Sequence, residues 1–198
     1  MKVWPCIAVV LMLAGCQQLP KVQQLMGKPR PAGTVTLAAT ALSSAVLRVQ
    51  IPSRGADAPL SLAGVNGGVE TWMAVDTISL SFDRGVLVAS RGLGFDLMGA
   101  NADATLEALA GRAGGVYRRE MRYLTGDQHS SYVLAGCTMQ EIGAETVAGR
   151  RMTRFEERCE ARRDSFTNIF WRGADGRIIS SRQWLSPEVG YITATLRD

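Results

Sequence analysis

From Met152 to Arg163 the chain alternates between a charged and a mainly apolar parity. Arg154, Glu156, Arg158, Glu160 and Arg162 fall on one, and Phe155, Cys159 and Ala161 on the other. Successive side chains of a strand point to opposite faces, so this pattern describes a sheet with one wet face and one dry one. Val116 to Leu124 repeats it, with Tyr117, Met121 and Tyr123 set against Arg118, Glu120 and Arg122. Around these two segments lie further short apolar runs bounded by turn residues. They are Ala45 to Ile51 before Pro52, Leu60 to Ala63, Val69 to Phe82 (one or two strands), Val86 to Ser90, Tyr132 to Ile142, Ser165 to Trp171, Arg177 to Leu185 and Tyr191 to Leu196. Asn66-Gly67 and Asp83-Arg84-Gly85 suit hairpin turns that need positive φ. The best helix spans Ala102 to Gly111, with Asn101 or Asp103 as its cap and Leu106 and Leu109 on one face.

Roughly ten short strands in succession, with no alternation of strands and helices, predict a mostly β fold. The expected architecture is an antiparallel meander curled into a barrel-like or folded-over sheet, with one or two short helices. The composition supports a real core: 46% of residues are hydrophobic and mean hydropathy is +0.04, too apolar for disorder.

The N-terminus reads differently. Lys2, the apolar run Val3 to Leu13 and then Leu13-Ala14-Gly15-Cys16 have the layout of a secretory leader. The run is shorter than the roughly 20 apolar residues of a membrane-spanning helix. The last four residues resemble a lipobox, which predicts cleavage before Cys16 and lipidation of its thiol. Gln17, where an aspartate would resemble an inner-membrane retention signal, points to the outer membrane. Residues 17 to 33 carry Pro20, Pro29, Pro31 and two Gln-Gln pairs, the composition of a tether. The expected organisation is therefore a leader at 1–15, a lipidated cysteine and tether at 16–33, and a single β-rich periplasmic domain at 34–198. A helical turn near Val22 to Met26 and a short helix within Thr34 to Ser44 are open within these segments.

An exported domain meets an oxidising compartment. With Cys6 in the leader and Cys16 lipidated, Cys137 and Cys159 remain as an even pair, and a disulfide is expected between them. Closing a loop of about 20 residues contributes roughly 3 kcal/mol on the loop-entropy model. Net charge is +4, and acidic residues are interleaved with the arginines. Neither feature makes the basic stripe that tracks a nucleic-acid backbone.

Catalytic signatures are missing. His129 is the single histidine, Ser130 and Ser131 cannot both face it from one strand, and there is no G-x-S-x-G elbow. The pattern predicts neither an enzyme, nor a metal site, nor a cofactor. Gly92-Leu93-Gly94 fits turn glycines better than a phosphate loop. Glu157 is the exception to the alternation, a carboxylate on the dry parity of its strand, and it needs a partner there. Arg91, Arg182 or an indole N–H are candidates. It is either a ligand-binding carboxylate or half of an internal ion pair. Trp72, Trp171 and Trp184, with Tyr117 and Tyr123, are candidates for stacking on sugar rings, with core packing as the alternative.

Two stretches resemble a known family. The first is Trp72-Met73-Ala74-Val75-Asp76, followed by Arg84 to Leu93 and by Asp96-Leu97. The second is Phe166-Thr167-Asn168-Ile169-Phe170-Trp171, then Asp175-Gly176-Arg177, then Ser180-Ser181-Arg182-Gln183-Trp184-Leu185-Ser186-Pro187. In order and spacing they resemble the YjbF/GfcB family of group 4 capsule lipoproteins, over most of residues 45 to 198. The resemblance implies a mostly β outer-membrane lipoprotein encoded with exopolysaccharide or capsule secretion machinery. It carries over no catalytic residues. The expected role is a non-enzymatic accessory factor, tied to the membrane by its lipid, that binds polysaccharide or a protein of the secretion machinery. Carriage of a lipidic or lipoprotein cargo and glycan hydrolysis remain alternatives.

Overall fold

The computed structural model describes residues 45–124, 129–147 and 149–197. The leader, Cys16, the tether, the segments considered for helix near Val22 and in Thr34 to Ser44, and residues 125–128 lie outside them. The described residues form twelve strands and one α-helix. The first five strands are β1 (Val46–Ile51), β2 (Ala56–Asn66), β3 (Val69–Met73), β4 (Ser79–Asp83) and β5 (Val86–Arg91). After β6 (Asp96–Ala100) comes α1 (Asp103–Leu109). Then follow β7 (Tyr117–Leu124), β8 (Ser130–Val147), β9 (Arg150–Ala161), β10 (Ser165–Arg172), β11 (Ile178–Ser186) and β12 (Gly190–Arg197).

Every pairing is antiparallel, and each strand lies beside its neighbours in sequence. The β12–β1 ladder, from Val46 opposite Arg197 to Gln50 opposite Thr193, joins the end of the meander to its beginning. The result is an up-and-down sheet nearly closed into a barrel, as the alternation predicts. Closure removes exposed edges, which a long twisted sheet otherwise leaves open to other chains. The one place without a backbone ladder is the seam between β5 and β6.

Side chains close that seam. Asp96 accepts hydrogen bonds from the Ser90 hydroxyl (2.8 Å) and from the backbone N–H groups of Gly92 and Leu93 (3.1 and 3.2 Å). Ser90 Oγ in turn accepts from Leu97 N, and Arg91 donates to the Leu97 carbonyl. The Gly92-Leu93-Gly94 stretch is thus a turn wrapped around one carboxylate. Strand β6 itself has no counterpart among the runs read from sequence, because Gly94 and Gly99 interrupt its apolar pattern. That omission, and the division of Val69 to Phe82 into β3 and β4, account for twelve strands where roughly ten are expected.

Local chemistry explains the other elements. In β1, Leu47, Val49 and Ile51 are buried while Arg48 and Gln50 are exposed. The β4–β5 hairpin turns through Arg84 and Gly85, both at positive φ (48° and 89°), as a two-residue turn matched to strand twist requires. A Cβ at Gly85 would lie 2.5 Å from Ile178 Cβ, so the close approach of β11 also demands glycine. The Asn101 side chain accepts from Asp103 N at the start of α1, and Arg172 donates to the Leu109 carbonyl at its end. Buried Thr105, Leu106, Ala108 and Leu109 make α1 a plug. Leu106 and Leu109 pack with Val86, Phe155 and Phe170.

Because the strands run up and down, connections alternate between two ends of the barrel. The β2–β3, β4–β5, β8–β9 and β10–β11 turns share one end with α1. The β1–β2, β3–β4, β5–β6, β9–β10 and β11–β12 turns lie at the other, which forms the mouth. There, Ser53 donates to the Val189 carbonyl and Arg54 to the Leu93 carbonyl, tying three turns together.

Candidate functional site

Between plug and mouth the barrel is filled by a polar network centred on Glu157. Its side chain is fully buried, and four donors reach it. Thr105 Oγ1 (2.6 Å) and Tyr117 Oη (2.8 Å) donate to Oε1. Arg119 Nη1 (2.7 Å) and Asn168 Nδ2 (2.6 Å) donate to Oε2. Burial alone would raise the carboxyl pKa. The Arg119 charge, helped by the Thr105, Asn168 and Tyr117 hydrogen bonds, outweighs burial and holds it below the ordinary value. The Tyr117 phenol is pushed up, first by burial and then by the neighbouring carboxylate.

The network continues through backbone. Arg119 Nη2 donates to the Leu87 carbonyl, whose amide donates to Gln183 Oε1, and Gln183 Nε2 donates to the Gly85 carbonyl. Asn168 Oδ1 accepts from Trp184 N (2.7 Å). Six elements, α1, β5, β7, β9, β10 and β11, together with the β4–β5 turn at Gly85, are thereby pinned to one core.

The partner of Glu157 is Arg119, and this corrects the sequence-based candidates. Arg91 bonds backbone carbonyls across the seam, and the Arg182 guanidinium lies 3.5 Å from the Tyr191 ring centroid. Arg119 shares the parity of Tyr117, Met121 and Tyr123, so the signal was present in β7 alternation. Cys137 and Cys159 stand directly opposite on β8 and β9 and are joined by a disulfide. Their sulfurs and the Glu157 carboxylate lie within 4.8 Å of one another. Bonded to each other, the sulfurs are not thiolate ligands.

The three candidate tryptophans are dispersed. Trp72 is buried, donates to Glu70 Oε2 (3.1 Å), and lines a cavity of ≈ 380 Å³ at the plugged end with Phe82, Arg84 and Arg177. Trp171 is half-buried and donates to Glu145 on β8 (3.0 Å). Only Trp184 sits in aromatic company. Its ring stacks on Phe166 (5.9 Å between centroids, 10° between planes) and meets Tyr191 edge-on at 5.2 Å.

Trp184 and Phe166 form one wall of a cavity of ≈ 450 Å³ in the mouth. Phe95 and Tyr123, with centroids 5.7 Å apart, form another. Pro187 and the polar turn Arg162-Arg163-Asp164 also line it. The Tyr123 phenol is pushed up to about 12, mainly by burial, so it stays neutral. Strands β10 and β11 part beside this wall: their ladder begins only at Ile169 opposite Arg182. Beyond it Thr167 N donates to Tyr191 Oη instead of to a strand. Tyr123 is a stacking candidate from sequence, whereas Phe95 and Phe166 are not, because only folding brings four distant strand ends to one mouth.

The comparisons agree with this architecture. No curated protein matches the chain in sequence. The crystal structure of the hypothetical lipoprotein YmcC from Escherichia coli (K12) has a similar fold, with a TM-score of 0.68 and 22% identity, covering 78% of this chain and 83% of that one. The family model for the group 4 capsule polysaccharide lipoprotein gfcB, YjbF, matches residues 31–196. With nearly the whole β domain inside that match, the chain belongs to the YjbF/GfcB family of group 4 capsule polysaccharide lipoproteins.

Proposed function

We propose that this protein is an accessory lipoprotein of capsule or exopolysaccharide export, anchored through Cys16 to the periplasmic face of the outer membrane. It acts by binding the polymer, and the mouth is the binding site. The observation that carries this reading is the two aromatic pairs, Phe166–Trp184 and Phe95–Tyr123, that line one cavity with a polar rim. Flat apolar rings beside a few polar groups suit ligands that are apolar on their faces and hydroxylated on their edges, as sugars are.

Binding without catalysis is the reading that Glu157 favours. A general acid needs a raised pKa and access to substrate. Glu157 is sealed from solvent, occupied by four donors and held below its ordinary value. A cargo carrier would want a continuous apolar lumen, whereas here the centre holds the Arg119–Glu157 pair.

The test is indole fluorescence of the mature protein titrated with polysaccharide purified from the bacterium that makes it. Saturable binding that Trp184→Ala abolishes, with folding intact by circular dichroism, is expected. Undiminished binding by the Trp184→Ala variant would place the site elsewhere, and no binding by the unaltered protein would sink the reading.

A further inference from the structure

The mouth does not end at the rim of the barrel. A second groove, ≈ 420 Å³, lies on β6, β7 and the start of β8, lined by Asn101, Glu120 and Arg122 among others. Met121, Tyr132, Val133 and Leu134 line both it and the mouth cavity. Tyr132 and Leu134 are 76% and 52% exposed, large apolar side chains left in water on a face otherwise bearing charges. The two spaces adjoin across these four residues of β7 and β8. A blind pocket accepts only a chain end, whereas an open path accepts the middle of a chain.

Its charge is selective. Six arginines elsewhere, Arg48, Arg84, Arg112, Arg119, Arg154 and Arg158, are held in ion pairs. Arg162 and Arg163 at the mouth and Arg122 in the groove are exposed, and they have no ion-pair or hydrogen-bond partner among the described residues. Asp164 and Glu120 line the same path, so three guanidinium groups outnumber two carboxylates. Planar guanidinium matches carboxylate in a two-pronged hydrogen bond, and three unengaged forks along an aromatic path await that partner.

We infer that mouth and groove form one track for an acidic polysaccharide, with Arg162, Arg163 and Arg122 meeting the carboxylates of successive sugars. This rests on the reading of the mouth as a glycan site and names the class of glycan.

The experiment compares two probes on the mature protein. One is the polysaccharide of the bacterium that makes it, and the other is the same polymer after carbodiimide activation and borohydride reduction of its carboxylates to alcohols. Reduction is expected to weaken binding about tenfold or more, a loss of ~1.4 kcal/mol per tenfold. Arg162→Gln with Arg163→Gln reproduces that loss on the native polymer, weakens binding of the reduced polymer much less, and does not shift the melting temperature. Arg122→Gln weakens the native polymer further. If reduced and native polymers bind equally, or if the polymer carries no acidic sugar, the acidic assignment is overturned while the glycan site stands. An unchanged affinity for Arg122→Gln would confine the site to the mouth and overturn the track. Binding of neither polymer by the unaltered protein would remove both readings.

Discussion

Glu157 shows how much one position can say. Parity alone placed its carboxylate on the dry face of β9, and the structure finds it fully buried there. Parity equally places Arg119 inside β7, although a pair of neighbouring arginines on a charged strand draws the eye to the wet face. What parity cannot supply is which strands face each other across a barrel, so the pairing of residues 38 apart was not legible. Breaking a buried pair by removing one member costs about 3–5 kcal/mol, because the other charge is left uncompensated. Glu157→Gln is expected to show that loss in chemical denaturation, and a change below about 1 kcal/mol would contradict the role given to the pair. The pH dependence has a definite sign. The folded-state pKa lies below the ordinary carboxyl value, so the stabilisation is complete above that ordinary value. It is lost as pH falls through the lower, folded-state value. Unfolding free energy measured down the acid limb should therefore drop in the unaltered protein and stay flatter in Glu157→Gln.

At the level of elements, the turns and alternating strands were the legible part. The Arg84-Gly85 hairpin, α1, the β10–β11 hairpin and the inward Cys159 all follow from local pattern. Strand β6 was not legible, since its place depends on Asp96 gathering the donors of a glycine turn that carries no periodicity. Asp96→Ala leaves a buried hydroxyl and two amides to find other partners, at about 1–3 kcal/mol. Hydrogen exchange should quicken in β5 and β6 while β8 and β9 stay protected, and uniform quickening would mean that the seam is not a separate closure. The Cys137–Cys159 disulfide, across 22 residues of chain, fastens the β8–β9 hairpin. Its removal by Cys137→Ala with Cys159→Ala should cost about 3 kcal/mol. Equal melting temperatures for the variant and the oxidised protein would count against that staple.

For the whole molecule, the antiparallel meander and its curling were readable because no strand–helix alternation competes with it. Sequence left a barrel-like and a folded-over sheet both open, and the β12–β1 ladder between the most distant strands of the chain decides for the barrel. The mouth was no more legible. Trp184 and Tyr123 were candidates from the start, but Phe95 and Phe166 come from other strand ends and join them only once the barrel closes. The same closure separates Trp72 and Trp171 from the site. A filled centre, a plugged end and one aromatic, cationic mouth support the proposal that the protein holds a polymer at its opening. The most direct measurement is surface and periplasmic polysaccharide in a strain lacking the gene, restored with either the unaltered gene or Trp184→Ala. The account predicts loss of surface polymer with accumulation inside, repaired by the unaltered protein and not by an equally abundant Trp184→Ala protein. Unchanged polymer in both compartments of the deletion strain would contradict it.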